Sequence, residues 1–392
     1  MHIVDVCAFY TPQGGGVKTY VERKLRAAVE AGIGMTILAP GRRSTTQELG
    51  PGARIVTIPA RRFPLDRRYS YFDNEPALHE ALDRLAPDFV ESSSPWSSPA
   101  MVGRWPGRAP RALVMHADPL SAYAYRWFGD IASRSAIDRG FQWFWDHLRR
   151  LDQSFDMVVS ASHNLTQRLR DGGLEHCITA PMGVEPGIFS PALRDAELRR
   201  SLLQRCELPE RATLLIGIGR MASEKRWPMV IDAVTAAGFD CPLGLVLIGE
   251  GRDQATVLRH AARNPHIQLL APVRDRATLA RILASADALV HGCEAETFCM
   301  VASEACASGV PVIVPDLGGA ADRYAPGQGA IYAAGDGYSL ADAIKRFVAD
   351  NPAAQRLRAS QAARSVRSMD QHFEELFATY ALAVEQGVHV SA

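Results

Sequence analysis

Residues 282–314 read ILASADALVHGCEAETFCMVASEACASGVPVIV, and the fold turns on them. Two apolar runs, Ala288–Val290 and Val310–Val314, have the length and composition of buried strands. Between them lie a loop that carries Glu296 and a segment, Val301–Ser308, with helical spacing. Strand, helix and strand in that order predict a parallel sheet with helices on its faces. The alternation continues upstream. Leu214–Ile218, Leu245–Ile248 and Ile267–Leu269 predict strands, and Pro228–Ala237, Ala255–Ala262 and Thr278–Ala284 predict helices. Further out the period breaks at PMGVEPGIFSPALRD, which starts at Pro181 and reads as a linker. Before it stands a second series of apolar runs: Ile3–Cys7, Met35–Ala39, Ile55–Ile58, Phe89–Val90, Ala112–His116 and Met157–Ala161. Helix-like stretches such as Val17–Ala31 and Glu75–Leu85 separate them. The expected fold class is therefore α/β, with two Rossmann-like domains facing each other across a cleft, residues 1–187 and 188–369. Ligands in such sheets bind beyond the carboxyl ends of the strands.

Composition narrows the function classes. A chain of 392 residues exceeds the size of one ordinary core. Lys+Arg and Asp+Glu both number 43, and this balance argues against a dedicated nucleic-acid binder. The seven cysteines form no C-x-x-C pair, which disfavours a zinc knot or a disulfide framework and predicts reduced thiols in a cytoplasm. The start MHIVDVCAFY lacks the features of a signal peptide, and no apolar run is long enough to span a bilayer. The expected location is cytoplasmic, with any membrane contact peripheral.

Five motifs sit at the expected strand ends. Gly14, Gly15 and Gly16 follow the first strand and precede a helix, where a phosphate can approach backbone closely. Their spacing is not G-x-G-x-x-G and no acidic residue closes the second strand, which disfavours hydride transfer. Arg220 and Lys225, in GRMASEKRW, offer a planar fork and a point charge suited to a diphosphate. Glu296 and Glu304 flank a turn into a helix, where the amides of Phe298, Cys299 and Met300 are helix-start donors. His116 ends a strand, followed by Asp118-Pro119, and can hydrogen-bond or carry a proton. Asp316-Leu317-Gly318-Gly319 reads as a loop open to ligand. Taken singly, each has a plainer explanation: a tight turn, surface cations, a helix-end charge or a structural histidine. No D-x-D occurs, which argues against a metal-bridged nucleotide site, so no metal and no cofactor are expected.

A further segment, IDRGFQWFWDHLRRL from Ile137 to Leu151, projects Phe141, Phe144, Trp145, Leu148 and Leu151 onto one apolar arc at ~100° per residue. Trp143 falls opposite, near Arg139 and Arg150. A large aromatic between two cations suits an interface with anionic headgroups, and a cation–π pair or packing under a loop is the plainer alternative.

The order and spacing of these motifs resemble family 4 retaining glycosyltransferases of GT-B fold, over nearly the whole chain and most strongly from Leu214 to Arg323. The resemblance rests on GIGRMASEKRWPMVIDA, LIGEGRDQATV, ILASADALVHGCEAETFCMVASEACASGVPVIV and DLGGAADR, together with GGGVKTYV, HADPL and MGVEPGIFSP. It implies a hexose transferred from a GDP- or UDP-sugar to a glycolipid or glycan acceptor, with retention of configuration. It also implies roles. Gly15 and Gly16 would approach the diphosphate, and Arg220 and Lys225 would grip it. Glu304 would hold the ribose. Glu296 and the amides of Phe298, Cys299 and Met300 would hold the transferred sugar, with His116 near the reacting centre. The segment Asp370–Val384 would cross back to the N-terminal domain. Three positions depart from the family pattern: Cys299 for Gly, where its side chain is expected to crowd the sugar, Glu185 for Asp and Asp322 for Glu. A sugar-nucleotide epimerase of the same fold and a non-catalytic nucleotide-sugar-binding subunit are the alternatives.

Overall fold

The computed structural model describes residues 1–11, 16–62, 70–93, 95–118, 120–128 and 131–387. Fourteen of its strands make two separate sheets. In the N-terminal half they are β1 (His2–Val6), β2 (Gly34–Gly41), β3 (Thr45–Gly50), β4 (Ala53–Pro59), β7 (Phe89–Ser92), β8 (Arg111–Met115), β9 (Met157–Ser160) and β10 (Cys177–Thr179). Two two-residue strands, β5 (Arg61–Arg62) and β6 (Ser70–Tyr71), pair only with each other. The large sheet runs β10-β9-β8-β7-β1-β2-β4-β3. Every pair in it is parallel except β3 with β4. The C-terminal half adds β11 (Thr213–Ile218), β12 (Leu243–Ile248), β13 (Ile267–Leu270), β14 (Ala288–Val290), β15 (Val312–Pro315) and β16 (Gly329–Tyr332). These form an all-parallel sheet in the order β13-β12-β11-β14-β15-β16.

Both sheets obey one physical rule. A parallel strand covered by helices on both faces must be apolar on both faces. β12 is buried at all six positions and β7 at all four. β3 differs: TTQELG is almost wholly exposed, an antiparallel edge strand whose polar composition hid it from the sequence pattern.

The chain divides into two compact units. One comprises Met1–Leu120, Trp127–Pro181 and Asp370–Ala392, and the other Ser121–Arg126 and Met182–Met369. The sequence had placed the break at 187/188. The linker instead pairs with the second unit: Val184 bridges Ser368, and a Cβ on Gly183 would meet the Ser368 carbonyl at 2.1 Å. The closing helix, Met369–Gln386, packs on the first unit, where Tyr380 stacks on Phe89 with ring centroids 4.1 Å apart.

In each sheet the order reverses beside a central strand, so that consecutive strands are not neighbours there. β11 lies between β12 and β14, and β1 lies between β2 and β7. The loops leaving β11 and β14 therefore emerge side by side, at the switch point where ligands bind in open α/β sheets.

Candidate active site

The loop after β11 is anchored before it is functional. Trp227, buried at the head of helix Trp227–Gly238, donates its indole N–H to the Arg220 carbonyl at 2.9 Å. Glycines let the neighbouring loop close on it. A Cβ on Gly249 would stand 1.9 Å from the Gly219 carbonyl oxygen, and one on Gly251 would stand 2.4 Å from that of Met221. The single turn Ser223–Lys225 ends at Arg226, which adopts a left-handed conformation at φ 49°. Reversal there directs Lys225 and Arg226 toward the loop after β14. Arg226 forks onto Glu294, with Nε 2.9 Å from Oε2, and Lys225 Nζ pairs with Glu296 Oε1.

That second loop is clamped from two sides. A Cβ on Gly292 would lie 2.6 Å from the Lys225 carbonyl oxygen. On the other side Gly318, at φ 79°, and Gly319 come so close that a Cβ would stand 2.2 Å from the Glu294 carbonyl oxygen and 2.5 Å from the Phe298 nitrogen. The Gly319 amide donates to the Glu296 carbonyl at 2.6 Å, and Tyr332 donates its hydroxyl to the His291 carbonyl at 2.8 Å. The DLGG motif is thus the back wall of the Glu294–Phe298 loop.

Electrostatics follow from this enclosure. Burial alone would push the Lys225 ammonium toward neutrality, but the Glu296 carboxylate outweighs it and holds its pKa above the ordinary lysine value. Burial likewise opposes the charge on Glu296, and Lys225 overcomes it, so Glu296 sits below the usual carboxylate value. Burial, helped by Lys225, pushes His291 down to about 4. Burial and then Glu296 push the Cys293 thiol up to about 12. Arg220 is different. Its side chain is 77% exposed and pairs with Glu224 at 2.9 Å, while that of Lys225 is 11% exposed.

Glu304 is not a free helix charge. It is buried within helix Met300–Ala307, accepts from Arg276 at 2.6 Å, and is raised by burial against the pull of that guanidinium. Arg276 in turn lies over the Phe189 ring at 4.9 Å. The amides of Phe298, Cys299 and Met300 find no acceptor among the described residues. Cys299 caps the helix at φ 65°, where glycine is the favoured residue, and its side chain is 2% exposed in the apolar core. The side chain expected to crowd the sugar packs inward here, within electrostatic range of Lys225 and Glu296, and its cost is backbone strain. Arg226, Glu294, His291 and Arg276 were missed in the sequence. The nearest signal was their adjacency to residues already singled out.

In the first unit Gly15 lies outside the described residues, and Gly16 opens the helix Gly16–Glu30. His116 follows β8, edge-on to the Tyr20 ring at 5.2 Å, and burial pushes its imidazole down to about 4. Asp118 accepts from Arg168 at 2.7 Å and from the Leu120 amide at 3.0 Å. The helical segment around Trp143 is broken at Phe141 into Arg134–Gly140 and Gln142–Asp152. Phe144, Trp145, Leu148 and Leu151 are buried as projected, Phe141 only in part. Trp143, Arg139 and Arg150 are exposed.

Two family models match the chain, "Glycosyltransferase Family 4" over residues 14–187 and "Glycosyl transferases group 1" over 199–366. A GDP-mannose-dependent alpha-(1-6)-phosphatidylinositol dimannoside mannosyltransferase of Mycobacterium tuberculosis is 30% identical over 321 residues, 80% of this chain and 79% of that one. The chain belongs to glycosyltransferase family 4. A GDP-mannose-dependent alpha-mannosyltransferase of Mycolicibacterium smegmatis is 29% identical over 89% of both chains. Among solved structures, sucrose-phosphate synthase from Thermosynechococcus elongatus superposes with TM-score 0.74 at 18% identity, covering 98% of this chain and 100% of that one. The fold is GT-B, with two Rossmann-like domains, and the protein is a glycosyltransferase with a nucleotide-sugar donor.

Proposed function

We propose that this glycosyltransferase moves mannose from GDP-mannose to a lipid-linked or glycan acceptor, with retention of configuration and no metal cofactor. The observation that carries the donor and acceptor class is the likeness, over most of the chain, to proteins named for GDP-mannose and, in one case, for a phosphatidylinositol dimannoside. The Lys225–Glu296 pair fits the reading. In the free protein each ion neutralises the other. A donor would separate them, its diphosphate taking Lys225 and its sugar hydroxyls taking Glu296 and the open amides of Phe298, Cys299 and Met300. Arg220 adds a second, mobile cation for the diphosphate, and Gly16 opens a helix whose N-terminus favours an anion. Glu304, already oriented by Arg276, takes the ribose.

In the transfer, the acceptor hydroxyl oxygen bonds to the sugar C1 as the bond from C1 to the phosphate oxygen breaks. The acceptor proton goes to the departing diphosphate on the same face. Lys225 and Arg220 supply the positive charge that this leaving group needs, the task a divalent ion performs elsewhere. His116 contacts the sugar as a neutral imidazole, which donates or accepts without adding charge.

The test is incubation with labelled GDP-mannose or UDP-hexoses, a lipid extract and EDTA, followed by NMR of the product anomer. The reading expects α-mannosyl lipid from GDP-mannose at full rate in chelator. Turnover of UDP-sugars alone, a β product, or activity lost in EDTA and restored by magnesium overturns it.

A further inference from the structure

One cluster beside the proposed donor site shares Glu296 with it and adds two side chains, His291 and Cys293, that have no part in the transfer. His291 follows β14, Cys293 stands two residues on and Glu296 three further, and one ligand atom from each lies within 4.8 Å of the other two. His291 is 1% exposed, and neither of its ring nitrogens has a hydrogen-bond partner among the described residues. A buried imidazole left without partners is an unusual feature that calls for a ligand or another explanation. The backbone that carries the cluster is fixed independently: Gly292 against the Lys225 carbonyl, His291 O by the Tyr332 hydroxyl, and Glu296 O by the Gly319 amide.

We propose that His291, Cys293 and Glu296 form a binding site for a zinc-class divalent ion, and that the ion shuts the donor site. Imidazole nitrogen, thiolate sulfur and carboxylate oxygen are the ligand types of a three-residue zinc site whose fourth position is water. Tetrahedral zinc places such atoms roughly 3.3–3.8 Å apart, so side-chain rotation closes a gap of about 1 Å. On binding, Cys293 gives its thiol proton to solvent, and the ion replaces the Lys225 ammonium at Glu296. Lys225 swings free, and the carboxylate proposed for the sugar is consumed. The ion acts here as an inhibitor, not as a cofactor. The inhibitory half of the proposal rests on the donor reading above, and the binding half does not.

Cobalt(II) is the probe, because its tetrahedral thiolate complexes absorb strongly. Titrated into the dialysed full chain, one equivalent should produce the sulfur-to-cobalt band, and zinc should bleach it. Cys293→Ser should lose the band, bind cobalt on the order of 100-fold more weakly for loss of one of three ligands, keep basal transfer, and resist zinc. His291→Gln serves for the binding measurements if Cys293→Ser does not fold. With wild type, zinc should raise the apparent KM for the donor and leave kcat unchanged, and intact GDP-mannose, whose sugar competes for Glu296, should weaken cobalt binding. No thiolate band, or a band that survives in Cys293→Ser, overturns the site. A band that GDP-mannose leaves untouched upholds the metal site and overturns its overlap with the donor.

Discussion

Lys225 and Arg220 come from one loop, yet the structure gives them unequal work. Arg220 is exposed and its partner Glu224 is four residues away, so its removal costs the fold little. Lys225 is nearly buried against Glu296, and its removal leaves a part-buried carboxylate unpaired. Both alanine variants should lower kcat/KM, by about 2–4 kcal/mol for a lost charge-assisted contact to the diphosphate. Lys225→Ala alone should also lower the melting temperature. Equal melting temperatures for the two would contradict the buried pair. Cys299 gives a second contrast. At φ 65° glycine should outrank alanine by about 1 kcal/mol, against the usual order, because only glycine escapes the left-handed penalty. Cys299→Gly should therefore be at least as stable as Cys299→Ala in urea denaturation, with an unchanged donor profile, since the side chain packs into the core. At this scale the sequence was partly legible. Lys225, Glu296 and Glu304 stood out because strand ends are where such sheets bind ligands. Arg226–Glu294 and His291 did not. Their pairing depends on a left-handed turn at an arginine, which no glycine announces, and on a closure only the folded loops create.

At the scale of elements, the first unit is tied at one buried lysine. Lys24, on helix Gly16–Glu30, lies 3.1 Å from Asp5 on β1 and 2.5 Å from Glu91 on β7. Ser93 donates to Asp5 at 3.0 Å, and Tyr380 of the closing helix donates to Glu91 at 2.9 Å. His372 on that helix must donate Nδ1 to the Pro181 carbonyl at 3.0 Å, so its Nε2 accepts from the Tyr20 hydroxyl at 3.0 Å. Lys24→Met strands two buried carboxylates and should cost about 3–5 kcal/mol, far more than an exposed lysine would. The cluster also has a pH signature. Burial, opposed by Lys24, raises Asp5 from 3.8 to about 6. Between those values the unfolded chain ionises first, so the contribution of Asp5 to stability falls as pH rises through this window. Asp5→Asn should flatten that fall in chemical denaturation from pH 4 to 6, and an unaltered slope would remove Asp5 as its source. The strands of this cluster were readable from their apolar residues, Ile3, Val4 and Val6 in β1 and Phe89 and Val90 in β7, while the buried Glu91 and Ser92 hid the end of β7. β3 was not, being polar and exposed, nor was the break at Phe141, where Gly140 ends the first helix but lies inside an apolar period that runs on through it.

At the scale of the whole molecule, an acceptor carried in a bilayer has to be met at a surface, and among the described residues no helix is long and apolar enough to cross a membrane. We propose that the first unit makes such a contact peripherally. Trp143 is 59% exposed and Trp127 62%, and Trp96, Phe128 and Ile131 also stand open to solvent. The rings adjoin: Phe128 lies 6.2 Å from Phe141, Phe141 lies 6.3 Å from Trp143, and Trp96 lies 5.6 Å from the buried Phe144. A lone exposed tryptophan needs no explanation, but several adjoining aromatics do. Tryptophan is the residue that settles at headgroup level, and exposed Arg139 and Arg150 add the charge that anionic lipid attracts. Each arginine near such a surface is worth about 1 kcal/mol and is screened within a Debye length, so the contact should weaken with salt. The decisive variant joins Trp143→Ala to Arg139→Ala and Arg150→Ala. Its co-sedimentation with anionic liposomes should fall by about tenfold or more at low salt. Its binding of GDP-mannose in solution should stay at the wild-type level, because none of the three is among the residues proposed to hold the donor. Undiminished sedimentation would free this face from the membrane and leave its aromatics to a protein partner.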